Sequence, residues 1–171
     1  MRKILFSLLT TFLFFGSALK AVEKNIEAKL VVGKNITDLT LNDQFNKSHT
    51  INADKYKLIF SFSKVSTHIC NNFFITKTPT YLKNHHAYFI SDISSVPSIL
   101  RSIFIMPDLE EFKHIVLLLD DDSLAESFRK NMDVEKIVVV YVLNKKITEI
   151  KTITTEEELR KTLEDDSPMI N

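Results

Sequence analysis

The chain has 171 residues, with 22 basic against 22 acidic side chains, 44% hydrophobic and 10% aromatic residues, enough for one domain with its own core. Balanced charge gives no global field for nucleic acid or an anionic membrane, and the apolar content excludes a disordered chain. With only Gly16 and Gly33 the chain cannot build a glycine-rich dinucleotide turn or phosphate-cradling loop, and with only Cys70 it cannot form an internal disulfide.

In chain order, Met1-Arg2-Lys3, the apolar residues 4–15 and the small residues Gly16, Ser17 and Ala18 have the three parts of a secretory signal. The apolar run is short for a bilayer span, so cleavage after Ala18 is expected, with Ala21 as the alternative end. Loss of Arg2 and Lys3 leaves the mature chain slightly acidic, and no cysteine stands there for lipid attachment. The richness in Lys, Asn and Ile points to an AT-rich bacterial genome.

The mature domain is expected to run over residues 19–164. Leu30-Val31-Val32-Gly33-Lys34, then Ile36, Leu39 and Leu41, a turn at Asn42-Asp43-Gln44, and His49, Ile51 and Ala53 predict a β-hairpin ahead of the main sheet. Residues 57–63 predict a strand buried on both faces, as a central parallel strand is. A helix should start near Ser66 or Thr67, with Cys70 at its entrance and Ile69, Phe73 and Phe74 turned inward; Pro79 should end or kink it, with Tyr81 and Leu82 in a final turn. Residues 87–91 predict a second strand. Val96-Pro97-Ser98-Ile99-Leu100 opens a short helix capped by Ser95 or Asp92, and Pro107 should close that region. Residues 115–119 predict the third parallel strand, ending in Asp120-Asp121-Asp122, and a helix with Leu124 and Phe128 on one face follows. Residues 137–143 are the strongest strand signal; Asn144-Lys145-Lys146 turns the chain into residues 147–153, giving a second hairpin. Thr154 or Thr155 with Glu157 or Glu158 forms a capping box for a last helix that buries Leu159 and Leu163, and residues 165–171 read as a disordered tail.

This order resembles the thioredoxin-like fold: an α/β three-layer sandwich with a mixed central sheet, an N-terminal β-hairpin and a C-terminal β-hairpin plus helix, in the version that peroxiredoxins carry. Val32-Gly33-Lys34, Asp38-Leu39-Thr40-Leu41 with Asp43-Gln44-Phe45, Ser61-Phe62 with Lys64, and Phe89-Ile90-Ser91-Asp92-Ile93-Ser94 with Pro97 resemble a family of small exported bacterial thioredoxin-like proteins related to the YtfJ-like group. The resemblance implies a periplasmic protein. Members of that family are often labelled FAD/FMN-containing dehydrogenases, a chemistry that the missing glycines and the lack of an isoalloxazine-site signature disfavour.

Thioredoxins use a Cys-x-x-Cys pair, and the matching tetrad here is Thr67-His68-Ile69-Cys70, without the attacking cysteine. Residues 131–136 also lack the proline that thioredoxins hold in cis beside the site. The sequence therefore assigns no catalytic residue. It predicts a thioredoxin-fold protein without dithiol redox chemistry that binds a partner protein or a small ligand in the bacterial envelope, using the loops after Ser63, Ser91 and Leu119.

The alternative is a single-cysteine thiol peroxidase or thiol-redox protein. Ser63-x-x-x-Thr67-x-x-Cys70 keeps the threonine and cysteine of the peroxiredoxin Pro-x-x-x-Thr-x-x-Cys pattern, with Ser63 in place of the proline. By that resemblance Cys70 attacks, Thr67 orients the peroxide and His68 assists. The arginine of that family is missing from residues 131–143, which offer only Lys136, and a small buried residue is the plainer role for Cys70.

No cofactor and no metal site is expected: the adjacent His85 and His86 do not converge, and His49 and His114 have no assigned place. Asp92 and Asp120-Asp121-Asp122 read as helix caps. Phe73, Phe74, Phe89, Phe104 and Phe112 are predicted to be core. No nucleic acid, and no stable membrane insertion after signal cleavage, is expected.

Overall fold

A computed structural model of the chain describes residues 26–36, 39–52 and 54–165. The expected signal segment, Asp38, Ala53 and residues 166–171 of the expected tail lie outside the described residues. No helix among the described residues is long and apolar enough to cross a membrane.

The strands β1 (Leu39–Asp43), β2 (Ser48–Ile51), β3 (Lys55–Ser61), β4 (Ala87–Asp92), β5 (Leu117–Leu119), β6 (Ile137–Leu143) and β7 (Lys146–Ile153) form one sheet in the order β2-β1-β5-β4-β3-β6-β7. Strands β3, β4 and β5 run parallel at its centre, and β1, β2, β6 and β7 complete it with antiparallel ladders. Helices are α1 (Lys64–Ile75), α2 (Tyr81–Asn84), α3 (Ser98–Leu100), α4 (Met106–Glu110), α5 (Asp122–Arg129) and α6 (Glu156–Glu164), with a π-helical turn (Arg101–Ile105) joining α3 to α4.

Three layers follow from the alternation of side chains along β3. Tyr56, Leu58 and Phe60 join Phe128 of α5 with Leu30 and Ile36 on one face. Ile59 joins Cys70, Phe73 and Phe74 of α1 with Leu159 and Leu163 of α6 on the other. The central strands are apolar on both faces because helices or chain cover both. Phe60, Phe74, Phe89 and Phe128 are among the largest fully buried side chains. Burial of each contributes about 1.5–3 kcal/mol relative to exposure.

The hairpin of β6 and β7 turns on Asn144 and Lys145, both at positive φ (51° and 64°), the geometry of a two-residue type I′ turn. The last helix starts as its sequence requires: the Thr155 hydroxyl accepts from the Glu158 amide, and the Glu158 carboxylate accepts from the Thr155 amide. Its far end is held by buried Lys57 of β3, whose ammonium donates to the carbonyls of Leu163 (3.0 Å) and Asp165 (3.1 Å).

Several local expectations are corrected. The first hairpin is β1 with β2, and Asn42 and Asp43 lie inside β1, not in its turn. Residues 30–36 are no arm of it. They cross the α5 face, where the Lys29 amide donates to Ser127, and reach the start of β7, where the Gly33 amide donates to Ile147.

Strand β5 starts at Leu117 instead of residue 115, because the buried Gln44 amide replaces a strand partner. Its Nε2 donates to the His114 carbonyl (2.8 Å), and its Oε1 accepts from the Val116 amide (2.9 Å). Helix α1 ends at Ile75 before reaching Pro79. Helix α3 is entered from Pro97, without a cap from Ser95 or Asp92. Pro107 does not close that segment: it sits at the start of α4, directly after the π-turn. Phe104 is not core: it is 63% exposed, on the π-turn with Ile103.

Candidate functional site

Ligand sites of open α/β sheets lie beyond the carboxyl ends of the parallel strands, and here β3 delivers Ser63 and β4 delivers Asp92 to that end. A groove of about 600 Å³ opens between them. Phe62, Ile93, Val96, Ile105 and Phe112 give it an apolar floor, and Lys64, Thr67, His68, Asn71 and Asp108 give it a polar wall.

The amino end of α1 is closed by its own sequence. The Ser63 hydroxyl accepts from the Ser66 amide (3.3 Å), and the Ser66 hydroxyl accepts from the Ser63 amide (3.1 Å). This reciprocal pair starts the helix at Lys64, two or three residues earlier than expected, so Cys70 is not at the helix entrance. It lies near the end of the second turn, where the stabilising effect of the helix dipole on a thiolate has faded.

The three residues of the thiol alternative do not converge. Cys70 is fully buried among Ile59, Phe73 and Phe74, and burial pushes its thiol well above the ordinary range. The Thr67 hydroxyl donates to the Ser61 hydroxyl (3.0 Å) at the end of β3. His68 is exposed and accepts from the Asn72 amide (3.2 Å), two residues and about 200° around the helix from Cys70.

Two arginines outside residues 131–143 organise the loops. Arg129, in the last turn of α5, donates to Asp92 (2.8 Å); the Asp92 carboxylate, 1% exposed, also accepts from the Ser94 amide (2.9 Å). Arg101 donates to the carbonyls of Val96, Ser94 (3.1 Å) and Asp120 (3.1 Å), tying the loop after β4 to the loop after β5. Asp92 thus anchors its own loop, and Asp121 caps α5 by accepting from the Leu124 amide (2.7 Å). The signal for Arg129 was its helical register with Asp122, which places a cation at the end of α5 near the strand termini.

One buried polar atom of the groove has no partner: the Asn71 Oδ1 is unbonded, although Asn71 lines the cavity. The histidines remain apart, His85 against the Tyr81 ring and His114 against Phe112, and no group of three or more metal-ligating side chains gathers among the described residues. Every peptide bond of the described residues is trans.

No protein-family model matches the chain, and no curated protein matches it. Solved structures do. A solution structure from Bacteroides thetaiotaomicron assigned as a protein disulfide isomerase aligns with TM-score 0.53 and 17% identity over 84% of this chain and 92% of that one. The C-terminal domain of a protein from the same organism assigned as a thiol-disulfide oxidoreductase aligns with TM-score 0.52 and 16% identity over 81% and 97%. Peroxidoxin BcpB from Mycobacterium tuberculosis aligns with TM-score 0.50 and 13% identity over 77% and 93%. The chain has the thioredoxin-like fold in its peroxiredoxin-like form, a mixed seven-stranded sheet between helical layers.

Proposed function

We propose that this protein is an exported thioredoxin-fold binding protein that works without dithiol chemistry, and that it takes an apolar segment of a partner protein along the groove above β3 and β4. The observation that carries this reading is the separation of thiol and groove: Cys70 is sealed beneath α1, while the groove is open, apolar at its floor and equipped with the unpaired Asn71 oxygen. The groove residues Lys64, Val96 and Ile105 are flanked in the chain by exposed apolar side chains, Val65, Ile99, Leu100, Ile103 and Phe104. On this reading they extend the groove into one apolar patch, the kind of surface that marks interaction sites.

Export to the periplasm rests on the signal pattern of residues 1–18, and the likeness to the YtfJ-like group on the motifs around Asp43-Gln44-Phe45 and Asp92. Asp43 and Gln44 are buried and hold the β1–β2 turn and the start of β5, which gives that motif a structural role.

The second reading, a single-cysteine thiol enzyme, takes its support from the thiol-disulfide oxidoreductase and peroxidoxin names of the structural neighbours. It requires α1 to open far enough to release Cys70 to solvent. A flavin-dependent dehydrogenase remains disfavoured by the lack of glycine.

A photoreactive side chain placed at Val65 in bacterial cells is expected to form one discrete protein adduct that Phe104→Asp abolishes. An adduct indifferent to Phe104→Asp, or no adduct at all, overturns the proposal.

A further inference from the structure

A second cavity lies at the opposite end of the parallel strands from the groove. Strand β4 begins at Ala87, yet its ladder with β5 pairs only Ile90, Ser91 and Asp92, so Ala87, Tyr88 and Phe89 have no β5 partner. The sheet is left with a slot of about 390 Å³, within the size range of small-ligand pockets. Tyr56, Tyr88 and Leu117 line its interior, and exposed Lys55 and Lys83 stand at its mouth.

Its charge has one sign. No aspartate or glutamate lines the slot. Among the described residues neither the Lys55 nor the Lys83 ammonium has an ion-pair or hydrogen-bond partner. His49 also lines it, and the carboxylate behind that ring is already occupied: Asp43 accepts from His49 (2.7 Å) and from the amides of Phe45 and Lys47 (both 2.9 Å).

Tyr56 supplies a hydrogen-bond donor to the slot. The residue is 2% exposed overall, and its hydroxyl, which has no protein partner among the described residues, is not one of the fully buried unbonded atoms and so is open to the slot that Tyr56 lines. Burial, with Tyr88 beside it, pushes its pKa up to about 12, so it stays a donor at neutral pH.

We propose that this slot binds the carboxylate form of an amphipathic organic acid, its chain against Tyr56, Tyr88 and Leu117 and its charge at the mouth with Lys55 and Lys83. No helix of eight or more residues contributes to the lining, so there is no backbone cradle for a phosphate, and a singly charged carboxylate is the matching anion. The slot is separate from the groove and does not depend on the function proposed for it.

Calorimetric titration with octanoate and with uncharged 1-octanol tests the assignment. Octanoate is expected to bind saturably, one per chain, with octanol about tenfold or more weaker. The double variant Lys55→Glu/Lys83→Glu is expected to weaken octanoate about tenfold or more with an unchanged thermal midpoint, and Tyr56→Phe to weaken it a few-fold. Absence of saturable octanoate binding, equal affinity for octanol, or full affinity in the double variant overturns it.

Discussion

The His114 ring is 3% exposed and packed on Phe112 and Phe74, with centroids 5.1 and 5.2 Å away, and neither of its nitrogens has a hydrogen-bond partner. Burial lowers its pKa from 6.5 to about 4. The unfolded chain therefore takes up a proton that the folded chain refuses, and stability falls as pH drops from about 6.5 toward about 4. Burial alone would raise the Asp43 carboxyl, but bonds from His49, Lys47 and Phe45 outweigh it and hold the group below 3.8, so its contribution is lost in a separate, lower window. Urea midpoints at pH 7 and pH 5 should differ in the native chain and differ much less in His114→Leu; equal pH dependence in both would refute the role of this ring. Sequence could not place His114, since a histidine without a partner pattern reads equally as core or surface. The small size and free state of Cys70 were enough to read it as buried. Gln44 reads in the sequence as a turn residue because its amide acts as a piece of backbone, a role that no periodicity announces.

Elements were readable where local chemistry alone decides them. The run Ile137–Leu143 is a strand, and the box of Thr155 with Glu158 is a helix start, with no help from elsewhere. Where two local signals compete, hydrogen bonds decided. Ser63 and Ser66 outbid Thr67 as the start of α1, and the π-turn (Arg101–Ile105) turned Phe104 outward while Arg101 tied its loops. The type I′ turn between β6 and β7 offers a direct check. Asn144 suits a positive φ, but Lys145 (φ 64°) pays the steric cost of its Cβ. The Lys145 carbonyl also accepts from the Ile36 amide (2.8 Å), a contact that glycine keeps. Lys145→Gly is expected to stabilise the protein by about 1 kcal/mol in chemical denaturation, the relief of a left-handed residue; a loss of stability would contradict the turn assignment.

At the scale of the molecule, the thiol and the open surface belong to different compartments. Sheet, α1 and α6 together enclose Cys70, so access to it requires breaking the packing of Phe73, Phe74 and Leu159, not the motion of one side chain. The chain order of strands and helices was legible in the sequence because hydrophobic periodicity and turns set it, and the three layers came from the resemblance to the thioredoxin-like fold. The groove and its loops were legible only as a location, since Arg129 and Arg101 reach it from distant points in the chain. The most direct test treats the folded chain with one equivalent of hydrogen peroxide in the presence of a sulfenic-acid trap and reads the intact mass. A sealed Cys70 predicts no adduct until the protein is unfolded by denaturant. Rapid modification of the folded chain that disappears in Cys70→Ser would contradict the account and make this a thiol enzyme.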